Sequence, residues 1–185
     1  RDKDILAEMA KKDLIIVCHS ITTLDRKLAR VLEPRTSTPE RRILSIKTLS
    51  DLGIPTAAMI GPVIPGLNDD EILPILKAAS EAGARSAGYN MVRLPLGVAP
   101  IFKDWLERNM PLQAKRILAR IEMVRDGKMN DSEWSRRMRG EGGYADYVQN
   151  TFRVARKKYG LTSRDKDLRT DLFRRPNEMT LFDEE

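Results

Sequence analysis

Four short stretches hold the side chains best suited to chemistry. Ser20-Ile21-Thr22-Thr23 supplies three hydroxyls able to bond a sugar or a carboxylate. Ser and Thr serve equally well as caps for a helix over 24–31, and spacing alone favours the cap. Gly61-Pro62-Val63-Ile64-Pro65-Gly66-Leu67-Asn68-Asp69 holds two glycines and two prolines. Such a turn is rigid, and its backbone N–H and C=O groups can read a purine edge without a charged side chain. Gly66 would let a flat ring come close. A tight strand-to-helix connection accounts for the same residues. Arg35 lies in the loop 32–37, just before a helix expected from Pro39. A guanidinium beside a helix N-terminus suits a carboxylate or phosphate, and surface pairing with Glu33 or Glu40 is the simpler role. Asn90 and Arg93 join the same end of the molecule if the segment carrying them is a parallel strand. Cys18 is the single cysteine and His19 the single histidine, so the chain offers neither an internal disulfide nor a multi-cysteine metal centre of its own.

The elements that would position these residues alternate. Strands are expected over 13–20, where Leu14 to Cys18 form an apolar run suited to burial on both faces, then over 54–61 and 85–93. Helices fall between them. Thr38 caps and Pro39 opens a helix over 38–52, which Gly53 stops. Asn68 is expected to cap a helix over 68–82, with Glu71 reaching back to complete a capping box. The opening DKDILAEMAKK gives a helix before the first strand. Strand, helix, strand, helix, strand implies right-handed parallel crossovers. From about residue 99 the strands stop, and helices follow over 99–108, 111–126, 131–139 and 144–159, ahead of a polar tail. The expected fold class is α/β: a partial parallel βα barrel of about three strands over 1–109, then an α-helical extension with an irregular tail over 110–185. Three parallel strands need cover and neighbours. The missing half of the barrel is therefore an expected partner, and self-association is another. Arg1, not Met, comes first, which fits a portion of a longer protein.

Composition narrows the classes. Of 185 residues, 41% are hydrophobic and 32% charged, enough for a real core under a well-solvated surface. No apolar run is long enough to span a bilayer and no signal peptide is evident, so a cytoplasmic location and no membrane partner are expected. The net charge of +6 comes from residues 101–160, with 14 Lys/Arg against 8 Asp/Glu. That excess can attract nucleic acid, although exposed basic helix faces explain it more simply.

Six ordered blocks carry a resemblance: SITTLD (20–25), LEPRTSTPERR (32–42), GPVIPGLND (61–69), VRLP (92–95), WLERNMP (105–111) and RMRGEGGYADY (137–147). Together they resemble radical S-adenosylmethionine proteins of the branch related to spore photoproduct lyase, often labelled DNA-repair photolyase-like. The resemblance implies a partial βα barrel with S-adenosylmethionine at its C-terminal mouth and a [4Fe–4S] cluster on a C-x₃-C-x₂-C motif. It implies cleavage of that cofactor to a 5′-deoxyadenosyl radical. The cysteine motif is absent here, so metal ligands are expected from elsewhere and this chain alone is expected to be inactive. By the same resemblance, Ser20 stands near the cofactor's ribose or methionine part and Arg35 near its carboxylate. Ile64 lies against adenine, with Gly66 and Asp69 matching the rest of a G-x-I-x-G-x-x-E motif; Pro62 replaces its first glycine, and Gly61 falls one position early. Two other function classes remain open: a basic nucleic-acid-binding module without catalysis, and a different βα-barrel enzyme with an anion at the helix N-termini near Pro39 or Asp69. With aromatic residues at 5%, base stacking is thinly supplied.

Overall fold

The computed structural model describes residues 2–130, 137–162 and 168–172. Helix α1 (Lys3–Lys11) leads to β1 (Val17–Ser20), α2 (Arg26–Leu32), α3 (Pro39–Asp51), β2 (Thr56–Val63), a 3-10 turn (Asp69–Glu71), α4 (Ile72–Glu81) and β3 (Ser86–Met91). Helices α5 (Val98–Asn109), α6 (Pro111–Met123) and α7 (Gly143–Lys158) follow. The strands form one parallel sheet in the order β1-β2-β3. The expected helix over 131–139 lies mostly outside the described residues, as does most of the tail.

Strand β1 is shorter than the apolar run that signals it. Asp13 takes φ 56° and the Leu14 amide still bonds to Met9 in α1 at 3.0 Å. Residues 14–16 are thus used in reversing the chain, and ladder bonding opens where the Val17 amide meets Pro55. Burial on both faces also does not hold for this strand. It is an edge of the described sheet, with Cys18 and Ser20 exposed.

Register sorts side chains onto two faces, because neighbours across a ladder point the same way. His19, Ala58 and Ala87 share one row. That face meets the helices: His19 Nε2 lies 3.5 Å from Ser45 of α3, and Ala58 and Ile60 join Ile46 of α3 and Ile75, Leu76 and Ala79 of α4 in one core cluster. The opposite face carries the row Ser20, Met59 and Gly88. Gly88 leaves room for Met59, whose Cε would stand 2.9 Å from any Cβ there.

A second apolar cluster ties the strand ends to the helical extension. Ile64, Val92 and Leu94, which follow the strands, pack with Leu106 of α5 and Ala114, Ile117 and Ile121 of α6. A fully buried aliphatic side chain stabilises by about 1.5–3 kcal/mol over an exposed one. This cluster therefore holds the extension firmly against the sheet. Buried Arg125, just after α6, donates to the carbonyls of Val92 (2.6 Å) and Met91 (3.3 Å) and pins the end of β3.

The capping box expected at Asn68 and Glu71 does not form. Asn68 is fully buried, and its side chain turns back: Oδ1 accepts from the Ile64 amide at 2.7 Å, while Nδ2 donates to the carbonyls of Thr22 (2.7 Å) and Pro62 (3.0 Å). Glu71 accepts from the Thr23 hydroxyl and from the Leu24 amide. Buried loop groups need partners, and these side chains supply them: Asn68 serves two carbonyls and one amide, Glu71 a hydroxyl and an amide. The expected cap at Thr38 does form, accepting from the Arg41 amide at 3.5 Å.

Candidate functional site

The three strands run parallel, so their C-terminal ends share one rim, where α/β folds place ligands. A hollow of about 340 Å³ opens there. Ser20 closes β1's side of it, Met59, Gly61 and Pro62 belong to β2, Asn90 and Met91 end β3, and Arg93 and Met138 complete the wall. Ser20 Oγ and Thr22 Oγ1 both donate to the Gly61 carbonyl, at 3.2 and 3.3 Å. This grip joins the first strand to the cis Gly61–Pro62 peptide of the second. The Met91 amide donates to the Met138 carbonyl at 2.8 Å, bringing the segment before α7 to the rim.

Arg93 is the chemically open group of this wall. Its Nε is buried and has no hydrogen-bond partner among the described residues. Leaving a buried charged donor unsatisfied is costly, and a guanidinium answers best to a carboxylate held by two parallel bonds. The hollow therefore fits a ligand that brings a carboxylate, polar groups for Ser20 and Asn90, and an apolar part against Met59, Met91 and Met138. S-adenosylmethionine has that make-up. An iron–sulfur cluster does not fit: Cys18 is the sole cysteine, and among the described residues no group of three His, Cys, Asp or Glu side chains could hold a metal.

The four residues expected to meet the cofactor are not equivalent. Ser20 lines the hollow. Arg35 is exposed on its loop and lies outside that lining. Arg42 of α3 takes the place at the sheet end: it donates to the Ser20 carbonyl at 2.8 Å and to the Ser37 carbonyl at 3.1 Å, and pairs with Glu33 at 2.9 Å. Burial first, and then the Arg42 charge, hold the His19 pKa below its ordinary value. Ile64 is 1% exposed and sits in the second core cluster. Its amide is taken by Asn68.

Gly66 has φ +80°, which non-glycine residues rarely adopt. Its amide donates to Asp69 at 2.5 Å, and its open side is covered by Arg120, whose Nη1 would stand 2.7 Å from a Cβ. Arg120 also lies over the Tyr144 ring at 5.2 Å, and the Tyr144 hydroxyl donates to Asp69 at 2.5 Å. Burial, followed by the Asp69 bond and charge, pushes the Tyr144 pKa up to about 12. The glycine turn is thus clamped from outside by α6 and α7.

Asn90 and Arg93 were conditional on strand direction, and the parallel register places both at the rim. Sequence reasoning missed Arg42, Met59 and Met138 as parts of this end. Only Met59 carried a signal, since it lies two residues before Gly61 and so on the same face as the strand end.

A second hollow, about 380 Å³, lies under the loop 33–39. Its Arg26 is taken up by Glu40 at 2.8 Å.

Residues 1–79 match the radical SAM superfamily. The chain is 30% identical over 116 residues to the uncharacterized protein Rv2578c of Mycobacterium tuberculosis, covering 60% of this chain and 33% of that protein. It is 32% identical over 111 residues to the uncharacterized protein MJ0683 of Methanocaldococcus jannaschii, covering 60% and 40%. It is 32% identical over 65 residues to the uncharacterized protein ORF301 of Acidianus two-tailed virus, covering 35% and 21%. The matched regions thus span between a fifth and two fifths of these relatives. No solved structure matches. Among the described residues no helix is long and apolar enough to cross a membrane.

Proposed function

We propose that this chain is the S-adenosylmethionine-holding part of a radical enzyme, with the cofactor seated in the rim hollow and its carboxylate on Arg93. The supporting observation is the buried, unpartnered Arg93 Nε at the C-terminal end of three parallel strands, in a chain whose first 79 residues match the radical SAM superfamily. Such a cofactor, when bound, would supply one-electron radical chemistry. Cys18 is the single cysteine, so the cysteines of a [4Fe–4S] cluster would come from outside this chain.

The chain's own residues bind and orient. Arg93 holds the carboxylate, Asn90 and Ser20 offer hydrogen bonds to the hydroxyl-bearing part, and the methionines exclude water around the sulfonium. Arg42 acts one step back, fixing the Ser20 carbonyl and thereby the end of β1. The six ordered sequence blocks favour the branch related to spore photoproduct lyase, and with it a nucleic-acid substrate and a DNA-repair role.

The test uses a full-length protein carrying the cluster cysteines, reconstituted anaerobically with iron and sulfide and reduced with dithionite. It is expected to form 5′-deoxyadenosine. Arg93→Ala is expected to raise the cofactor KM about 10–100-fold, the range for a lost charge-assisted bond of about 1.5–3 kcal/mol. No 5′-deoxyadenosine from the intact protein, or an unchanged KM in the variant, would refute the assignment.

A further inference from the structure

A larger groove of about 690 Å³ runs between β3 and α7. Four cations line it: Arg139 from the segment before α7, and Arg153, Arg156 and Lys157 from α7 itself. No described acidic residue lines it, and none of the four makes an ion pair with a described residue. Some exposed cations elsewhere are matched along their own helices, as Lys47 is with Asp51, Lys77 with Glu81 and Arg108 with Asp104, whereas others, such as Lys115 and Arg116, make no ion pair with a described residue but are not gathered around this hollow.

This is more than a basic helix face. The cations come from two separate segments and converge on one concavity. Two are held in place by neutral acceptors: Arg156 Nε donates to the Leu161 carbonyl at 3.1 Å and Arg153 Nη2 to Asn150 at 3.4 Å. The groove is also lined by Tyr89 and Phe152, whose ring centroids are 4.7 Å apart. Arg139 lies near enough to Tyr89 to oppose the upward push that burial gives its pKa. Converging like charges repel unless an anion lies among them. Guanidinium groups beside aromatic rings form the kind of surface that takes phosphates together with flat rings.

The groove adjoins the rim. Met138 lines the rim hollow and the next residue, Arg139, lines the groove. Gly88, against which Met59 of the rim packs, lines the groove as well.

We propose that this groove is a second binding site, for the phosphate groups of an extended ligand. Its position beside the rim makes it the seat of the substrate's anionic portion, a step that rests on the cofactor assignment above; the phosphate site itself does not.

The test measures binding of a fluorescent single-stranded oligothymidylate by anisotropy, and of inorganic tripolyphosphate by calorimetry, over a range of salt and without S-adenosylmethionine. Because no cofactor is present, the result is independent of the rim hollow. Affinity is expected to fall steeply with salt. The exposed pair Arg153→Gln/Lys157→Gln is expected to weaken binding at least about tenfold, the loss expected when phosphate-pairing cations are removed. The charge-matched pair Lys115→Gln/Arg116→Gln on α6 is expected to change it less than about twofold, because those residues line no part of the groove. Circular dichroism melts confirm folding of both. Tripolyphosphate that displaces the oligonucleotide at comparable concentration indicates a compact phosphate group. An oligonucleotide that resists displacement indicates a phosphodiester chain. Both outcomes support the site. Equal losses in the two variants, no loss in the groove variant, or no binding of either probe would overturn it.

Discussion

At the scale of single residues, the arginines divide the work. Arg42 and Arg125 spend their donors on backbone carbonyls at the ends of β1 and β3. Arg120 lies on a tyrosine ring and over Gly66. Arg93 has a buried Nε with no hydrogen-bond partner among the described residues and lines the rim hollow, whereas Arg125, whose Nε also makes no described hydrogen bond, has its Nη2 on two carbonyls. Type and spacing cannot make that distinction, because it depends on which carbonyl or ring each guanidinium meets after folding. Arg35 illustrates the limit: it stands in the loop where a cation is wanted, but seven residues later Arg42 has the helix geometry to reach Ser20. Tyr144 gives a residue-scale prediction. Its pKa is raised to about 12 in the folded state against an ordinary value near 10. The folded state keeps the proton longer, so the contribution is fully present below about pH 10 and is lost as pH rises toward 12. Subtracting the urea midpoint of Tyr144→Phe from that of the wild type at each pH should show a difference that shrinks between pH 10 and 12. A difference independent of pH would show that neither burial nor the Asp69 bond raises this pKa on folding.

At the scale of elements, the helices and parallel strands were legible because periodicity, caps and stops agreed. Thr38-Pro39 at one end and Gly53 at the other bracket α3. What was not legible is how the loops use their polar side chains. Asn68 and Glu71 have the spacing of a capping box, yet the buried carbonyls of Thr22 and Pro62 and the amides of Ile64 and Leu24 compete for them. That competition exists only once β1 and β2 lie side by side. The two loops after these strands are therefore one hydrogen-bonded unit, and Asn68 is its centre. Asn68→Ala leaves the Ile64 amide and the Thr22 and Pro62 carbonyls without this partner and should cost about 2–4 kcal/mol, read as a lowered urea midpoint with unchanged slope. A loss under about 0.5 kcal/mol, the size of an ordinary surface substitution, would mean water replaces the side chain and the unit is looser than drawn.

At the scale of the whole molecule, the chain is a sheet with one face sealed by α3 and α4 and with a rim braced by the helical extension. The sequence pattern anticipated strands, then helices, but not that α5 and α6 would fold back onto the strand ends while α7 packs beside α4. The apolar positions of α6 are legible as a stripe, while their destination against Ile64, Val92 and Leu94 is not. This arrangement sets Arg93 at the rim and the four cations of the neighbouring groove together along the β3 side. The most direct test of the central claim is a titration of the ¹⁵N-labelled chain with S-adenosylmethionine followed by amide and arginine side-chain resonances. Saturable shifts at Ser20, Gly61, Asn90 and Arg93 Nε are predicted, and they should vanish for a cofactor analogue whose carboxylate is esterified. Resonances at the rim that stay fixed at millimolar cofactor, or shifts indifferent to the ester, would contradict it.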